Sequence, residues 1–339
     1  MDNLTHSLTG LMLARAGLGR LTPRAGLLVI LAANMPDVDV VSWIEGRARY
    51  LDVHRGYTHA WALVPLLALL PVLVARWSFR WPLWLRRLVG GDEAGWSWWK
   101  AWLASCVGVA SHLLLDWTNN YGIRFGMPFD ASWHRLDLLF VIDPWVWLLL
   151  LFGVAAPFLS RLVSSEIGAK RTSGGGVAWF VLILLCGYVG GRQLLHERAL
   201  GMLESRVYER QNPRRVAAFP VFGNPLRWRV LAEISNGYWI SELNVLRELD
   251  PAEGRVYYQA EESPMITMAR ATTDFQAFLR FNQYPLWRVI PLAGPEGSAR
   301  VELLDLRFGD PVSPGFVATF TMENGRAEGE SIRFGTPKI

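Results

Sequence analysis

The chain has little cysteine and little charge. Of its 339 residues only Cys106 and Cys186 are cysteine. Both lie inside apolar segments, which excludes a disulfide framework and makes them small buried hydrophobes. Charged residues make up 19%, against roughly 25% in an ordinary soluble domain. No basic stripe is present either: the arginines behind the net charge of +4 sit in connections between apolar runs, so nucleic acid is not an expected partner. A basic leader is also missing. Asp2 and His6 stand where a signal peptide would carry positive charge, so insertion into a membrane is expected to use internal spans. The segment "SGGG" (Ser173 to Gly176) reads as a turn and not as a phosphate loop.

What the chain has instead is apolar residues, at 51%, and 17 tryptophans. Up to about Leu195 they come in long runs, whereas residues 196–339 have the composition of a soluble domain. Ala60 to Ala75, Ala101 to Trp117, Phe140 to Leu159 and Val177 to Leu195 approach the roughly 17 to 25 residues that cross a bilayer. Leu4 to Leu18 and Ala25 to Ile44 are shorter or interrupted, as suits helices shielded in a bundle. The basic residues of alternate connections then set orientation. Arg20, Arg24, Arg76, Arg80, Arg86, Arg87, Lys100, Arg161, Lys170 and Arg171 fall on one face, against Arg47, Arg49, Arg55, Arg124 and Arg135 on the other. The richer face is expected to be cytoplasmic. The expected fold is therefore an all-α membrane bundle of about six spans over residues 1–195, followed by an extracytoplasmic α+β domain over 196–339.

In that tail, alternation in "RWRVLAEI" and "YWISELNV" around Asn236-Gly237 predicts a hairpin. Strands are expected at "RVYYQA", "RVELLDLRF" and "GFVATFTM" and a helix at "TTDFQAFLRF", which makes a mainly antiparallel α+β domain. It carries no catalytic motif.

The chemistry gathers at the outer face. "SHLLLDW" places His112 and Asp116 at i and i+4, on one helical face, where an imidazole and a carboxylate can approach one ion; the same spacing also suits a plain hydrogen-bonded pair. In "PDVD", Asp37 and Asp39 can cap a turn, yet two close carboxylates repel unless a cation offsets them. Asn34 could add a neutral ligand or orient one. "HRGYTH" offers His59 as a ligand, His54 as a second ligand or an acid/base, and Arg55 as a clamp for an anionic oxygen. Its plainer reading is an interfacial loop touching headgroups. Asp143 in "VIDPW" is either a helix cap or a further ligand. Five of the six histidines, His134 among them, fall in these outer segments.

Taken in order, "THSLTG", "NMPDVD", "HRGYTH", "SHLLLDWTNNYG" and "PFDASWHRLDLLFVIDPW" resemble the membrane-bound metal-dependent hydrolase family typified by YdjM, over roughly Met1 to Leu159. More distantly the pattern is similar to the zinc-dependent phospholipase C and P1 nuclease group. The first resemblance implies an inner-membrane protein with a hydrolase site of poorly defined substrate, and the distant one implies an all-helical zinc site that hydrolyses phosphate esters. Residue by residue it implies His6, Asp37, His59, His112 and Asp116 as ligands, with Asp39, His54 and Asp143 beside them. The distant group has further histidine ligands, for which only His134 remains here, so one to three metals stay open.

Mixed nitrogen and oxygen ligands favour Zn2+, with Mn2+ or Fe2+ as alternatives. Asp39 or His54 would take a proton from the attacking water and Arg55 would steady the developing anion. A site at the membrane boundary implies a lipid or other amphipathic ester as substrate. The rivals are a sensor or scaffold with a structural metal and a transporter. Transport would need acidic groups along mid-membrane depth, where almost none occur.

Overall fold

The computed structural model describes residues 1–85, 93–167, 174–293, 298–323 and 326–335. Arg86, Arg87, Lys170, Arg171 and Ser173, used above, lie outside the described residues. The chain divides into two compact units, Met1–Asp39 with Arg55–Leu194, and Val40–His54 with Leu195–Ile339.

The first unit is helical. Helix α1 (Asn3–Ala16) starts where the Asp2 carboxylate accepts the Leu4 and Thr5 amides at 3.0 and 3.1 Å, a helix cap. Helix α2 (Ala25–Ala32) is followed by a 3-10 helix, Pro36–Glu45, bent from it by 47°. Pro36 has no N–H and turns the preceding residue away from helical geometry, which accounts for the break. Helix α3 (Arg47–Val53) belongs to the second unit. A helical run α4 (Trp61–Arg80), then α5 (Trp98–Trp117), α6 (Pro144–Ile167) and α7 (Gly175–Glu204) complete the set.

Two of these, α4 and α7, are long and apolar enough to cross a membrane, and the bent α2 pair makes a third if it is one span. Among the described residues the expected six are thus met as two or three. The shortfall has a physical cause: α1, at 14 residues, reaches about 21 Å, short of a roughly 30 Å hydrocarbon core, and it buries Thr5, His6 and Thr9. Helix α5 is long enough but buries Ser105, His112 and Asp116. Exposed Leu66, Leu69, Leu70 and Leu73 on α4 and Trp179, Phe180, Ile183 and Leu184 on α7 form apolar surfaces suited to lipid.

Helix α2 packs between α1 and α5 through small residues. A Cβ on Gly108 would lie 2.7 Å from the Ala32 Cβ, and one on Gly10 would lie 3.0 Å from the Ala33 Cβ; glycine lets the backbones approach. Gly108→Val is therefore expected to cost about 1–3 kcal/mol through overpacking, read as a lower thermal midpoint in detergent. An unchanged midpoint would show that α2 has room to move.

The second unit contains two four-stranded antiparallel sheets, ordered β1-β2-β3-β4 and β5-β6-β7-β8. The predicted hairpin is β2 (Asn224–Ile234) and β3 (Gly237–Asn244), with Ile234 opposite Gly237. The turn is thus Ser235-Asn236, and Gly237 is a strand residue on which a Cβ would collide with the Tyr257 carbonyl. Strands β4 (Arg255–Tyr258), β6 (Ala299–Asp305) and β7 (Phe316–Glu323) fall where expected. Strands β1 (Arg215–Val221), β5 (Pro285–Pro291) and β8 (Arg326–Phe334) are additional, as is helix α8 (Pro264–Ala271) before the expected α9 (Thr273–Phe281). The connection Glu45 to His59, expected as a loop, forms α3, whose Asp52 accepts both Arg280 donors from α9 at 2.8 Å.

Candidate metal centre

The i, i+4 pair on α5 forms as expected. His112 Nε2 lies 3.4 Å from Asp116 Oδ2. To it the 3-10 turn Tyr57–His59 brings His59, whose Nε2 is 3.2 Å from His112 Nε2 and 3.4 Å from Asp116 Oδ2. Asp37, from the 3-10 helix after the Pro36 break, places Oδ1 3.6 Å from His59 Nε2 and 3.5 Å from His112 Nε2. The four ligand atoms lie within 4.8 Å of one another. A tetrahedral ion with bonds of about 2.0–2.1 Å has ligand atoms about 3.3 Å apart, so these separations are those of a tetrahedral ligand set.

The other ring nitrogens decide the tautomers. His112 Nδ1 is 2.7 Å from the Ala33 carbonyl, which can only accept, so Nδ1 carries the proton and Nε2 presents a lone pair. His59 Nδ1 is 3.0 Å from Thr58 Oγ1, and that hydroxyl donates to Asp39 Oδ2 at 2.6 Å. The hydroxyl is spent on Asp39, so His59 Nδ1 is the donor and its Nε2 also presents a lone pair. Two unprotonated nitrogens 3.2 Å apart cannot hydrogen-bond to each other. Asp116 Oδ2, which has the Arg55 guanidinium at 3.3 Å, and both nitrogens of His6 are buried without a hydrogen bond, and buried polar atoms that lack one are costly. A divalent cation would satisfy the lone pairs and both carboxylates at once, so the residues fit a metal.

His6 stacks on His112 at 3.7 Å between centroids, with Nε2 3.4 Å from Asp116 Oδ1. Asp116 therefore turns one oxygen to His59 and His112 and the other to His6 and the Met1 amino group. Asp39, expected as a base, accepts the Arg55 amide at 2.9 Å as well as Thr58, and its Oδ2 lies 3.5 Å from His59 Nδ1. Arg55 has φ 58°, a left-handed conformation that costs a non-glycine residue about 1–2 kcal/mol. Asp39 at its amide and Arg124, donating to its carbonyl at 3.0 Å, hold it there. Its guanidinium donates to Asn119 Oδ1 at 3.1 Å and the Gly122 carbonyl at 3.2 Å, lies 3.3 Å from Asp116 Oδ2, and covers the Tyr121 ring.

The other expected residues make contacts of their own. Asp143 is the cap of α6: its carboxylate accepts the Trp145 and Val146 amides and the Tyr188 hydroxyl, which uses the oxygens a ligand would need. His54 belongs to the second unit, where its ring stacks on Tyr50 at 4.5 Å. His134 stacks on Phe125 at 4.1 Å, and Asn34 donates to Ser7 and the Ile30 carbonyl.

Sequence reasoning missed Thr58, Asn119 and the Ala33 carbonyl. Thr58 adjoins His59 but carried no signal of its own, and a carbonyl has none. Thr58→Val is expected to weaken metal affinity by about 10- to 100-fold, as losses of such orienting partners do, while the protein stays folded. Competition with a chromogenic chelator measures this; an unchanged affinity would mean that His59 is aligned without the hydroxyl.

A helical unit that carries both membrane-length apolar helices and a largely buried two-histidine, two-aspartate cluster defines the class, a membrane protein with a metal-capable cluster. The YdjM inner membrane protein family model matches residues 1–198, and the chain belongs to that family. It is also similar to "Uncharacterized protein YfhP" of Bacillus subtilis (strain 168), 22% identical, with 94% of this chain and 90% of that protein covered. No solved structure matches.

Proposed function

We propose that the protein is a metal-dependent hydrolase, most simply a zinc enzyme, acting on a phosphate ester or other ester of a lipid-like substrate at the outer face of the inner membrane. The observation that carries this reading is the convergence of the Nε2 atoms of His59 and His112 on the carboxylates of Asp37 and Asp116. Asp37, His59, His112 and Asp116 would hold the ion. Two imidazoles and two carboxylates suit Zn2+, with Mn2+ or Fe2+ as alternatives. Such an ion, when bound, acts as a Lewis acid and acidifies water.

The chain's own residues supply the rest. The Asp37 side chain is 14% exposed while those of His59, His112 and Asp116 are at 0%, so substrate approaches from the Asp37 side. Arg55 is placed to hold an anionic substrate oxygen. Asp39 and Thr58 keep His59 aligned. On this reading, which the arginine bias supports, the site and the C-terminal unit would lie outside, with about six membrane segments in all, shorter helices such as α1 and α5 being shielded by their neighbours.

The near-complete burial of three ligands also favours a second reading, a sensor or scaffold with a structural metal and no water position. Full-length protein in detergent, loaded with zinc, is to be assayed on a chromogenic phosphodiester and a phospholipid. Turnover that disappears on chelation and returns with metal supports the hydrolase. A metal-stabilised protein that turns over neither substrate supports the structural reading.

A further inference from the structure

The second unit contains a feature unrelated to the metal cluster. Where α7 leaves its apolar stretch, a cavity of about 240 Å³ is lined by Arg198, Arg206 and Arg247, with Met202 and Leu246 as apolar wall and Glu248 as the one acid. Arg198 is anchored, since its Nε donates to the Val245 carbonyl at 2.8 Å. Arg206 and Arg247 make no side-chain hydrogen bond or ion pair among the described residues. Glu248 pairs with neither, so the cavity carries an excess of positive charge with an apolar side. Leu246 is 68% exposed, which leaves that apolar side open.

Position along the helix says what such a cavity fits. Counted from Leu195, where the apolar stretch ends, Arg198 lies about 5 Å further at 1.5 Å per residue, and Arg206 follows the end of the helix at Glu204. A headgroup layer of roughly 5–8 Å borders the hydrocarbon core, so the cavity begins in that layer. Arginines there attract anionic headgroups, each contributing about 1 kcal/mol, and Met202 and Leu246 give the cavity an apolar side. We propose that this cavity binds the phosphate of an anionic phospholipid, with Arg198 as a fixed donor and Arg206 and Arg247 closing on the headgroup.

The test uses the full chain, delipidated in detergent and titrated with short-chain phosphatidylglycerol, phosphatidylcholine or inorganic phosphate, with binding read by thermal shift and native mass spectrometry. Phosphatidylglycerol is expected to bind tightest. Arg206→Gln and Arg247→Gln are each expected to weaken it about fivefold and together about 25-fold, without altering the unliganded midpoint, because neither side chain is paired. Glu248→Gln is expected to tighten binding. Equal binding of phosphatidylglycerol and phosphatidylcholine, or no loss in the double variant, overturns the proposal. Phosphate alone matching the lipid would overturn it in favour of a soluble phosphate ligand.

Discussion

His112→Ala and Asp116→Ala are each expected to leave the purified protein with under a tenth of the metal bound by the wild type, which is expected to hold close to one equivalent. Four-ligand sites of this type bind zinc with about 10–16 kcal/mol, so one ligand of four accounts for several kcal/mol and its loss for at least ~100-fold in affinity. The two variants act by different routes. His112→Ala removes one nitrogen and the ring on which His6 stacks. Asp116→Ala removes a carboxylate that lies within 3.4 Å of His59, His112, His6 and Arg55, so it also leaves those groups without their common acceptor. Asp143→Ala is the control: it removes a helix cap, at about 1 kcal/mol, and is expected to keep its metal. Elemental analysis of the set decides the matter. Wild-type protein without metal after zinc loading would mean that the cluster is held by hydrogen bonds alone.

Much of this site was legible because its signals are local. The i, i+4 spacing of His112 and Asp116 fixes a helical face whatever the rest of the fold does, and two aspartates beside Pro36 mark a break in an apolar run. The residues that make the imidazoles good ligands were not legible. A carbonyl such as Ala33 has no side-chain signature, and Thr58 acts only because the backbone at Arg55 turns left-handed and brings Asp39 within reach. In the tail, the hairpin of β2 and β3 alternates clearly and was read from sequence. Strand β1 is buried at four successive residues, β5 begins and ends in proline, and β8 is exposed along nearly its whole length, so none shows the alternating half-buried pattern that marks a strand.

Arg55→Gln separates the catalytic from the structural reading, because it removes a charge from the cluster without removing a ligand. In the hydrolase, a donor aimed at a developing anion is worth about 10²–10³ in kcat, so Arg55→Gln is expected to lose that much with metal content unchanged and KM moved far less. Arg55→Lys keeps the charge but not the planar fork that reaches Asn119 and Gly122 together, and is expected to recover only part of the rate. Stability gives a second readout that does not need the substrate. Removing one partner of a buried charge pair costs about 3–5 kcal/mol, and with the ion chelated Asp116 would lose its nearest guanidinium. With the ion present a divalent charge offsets the same carboxylate, so the penalty of Arg55→Gln should shrink in loaded protein. Metal-dependent rescue of the midpoint without recovery of turnover makes Arg55 a substrate clamp. Equal turnover in Arg55→Gln and wild type would instead leave it the local task of pinning Asn119 and the Gly122 carbonyl, and the anion would have to be held elsewhere.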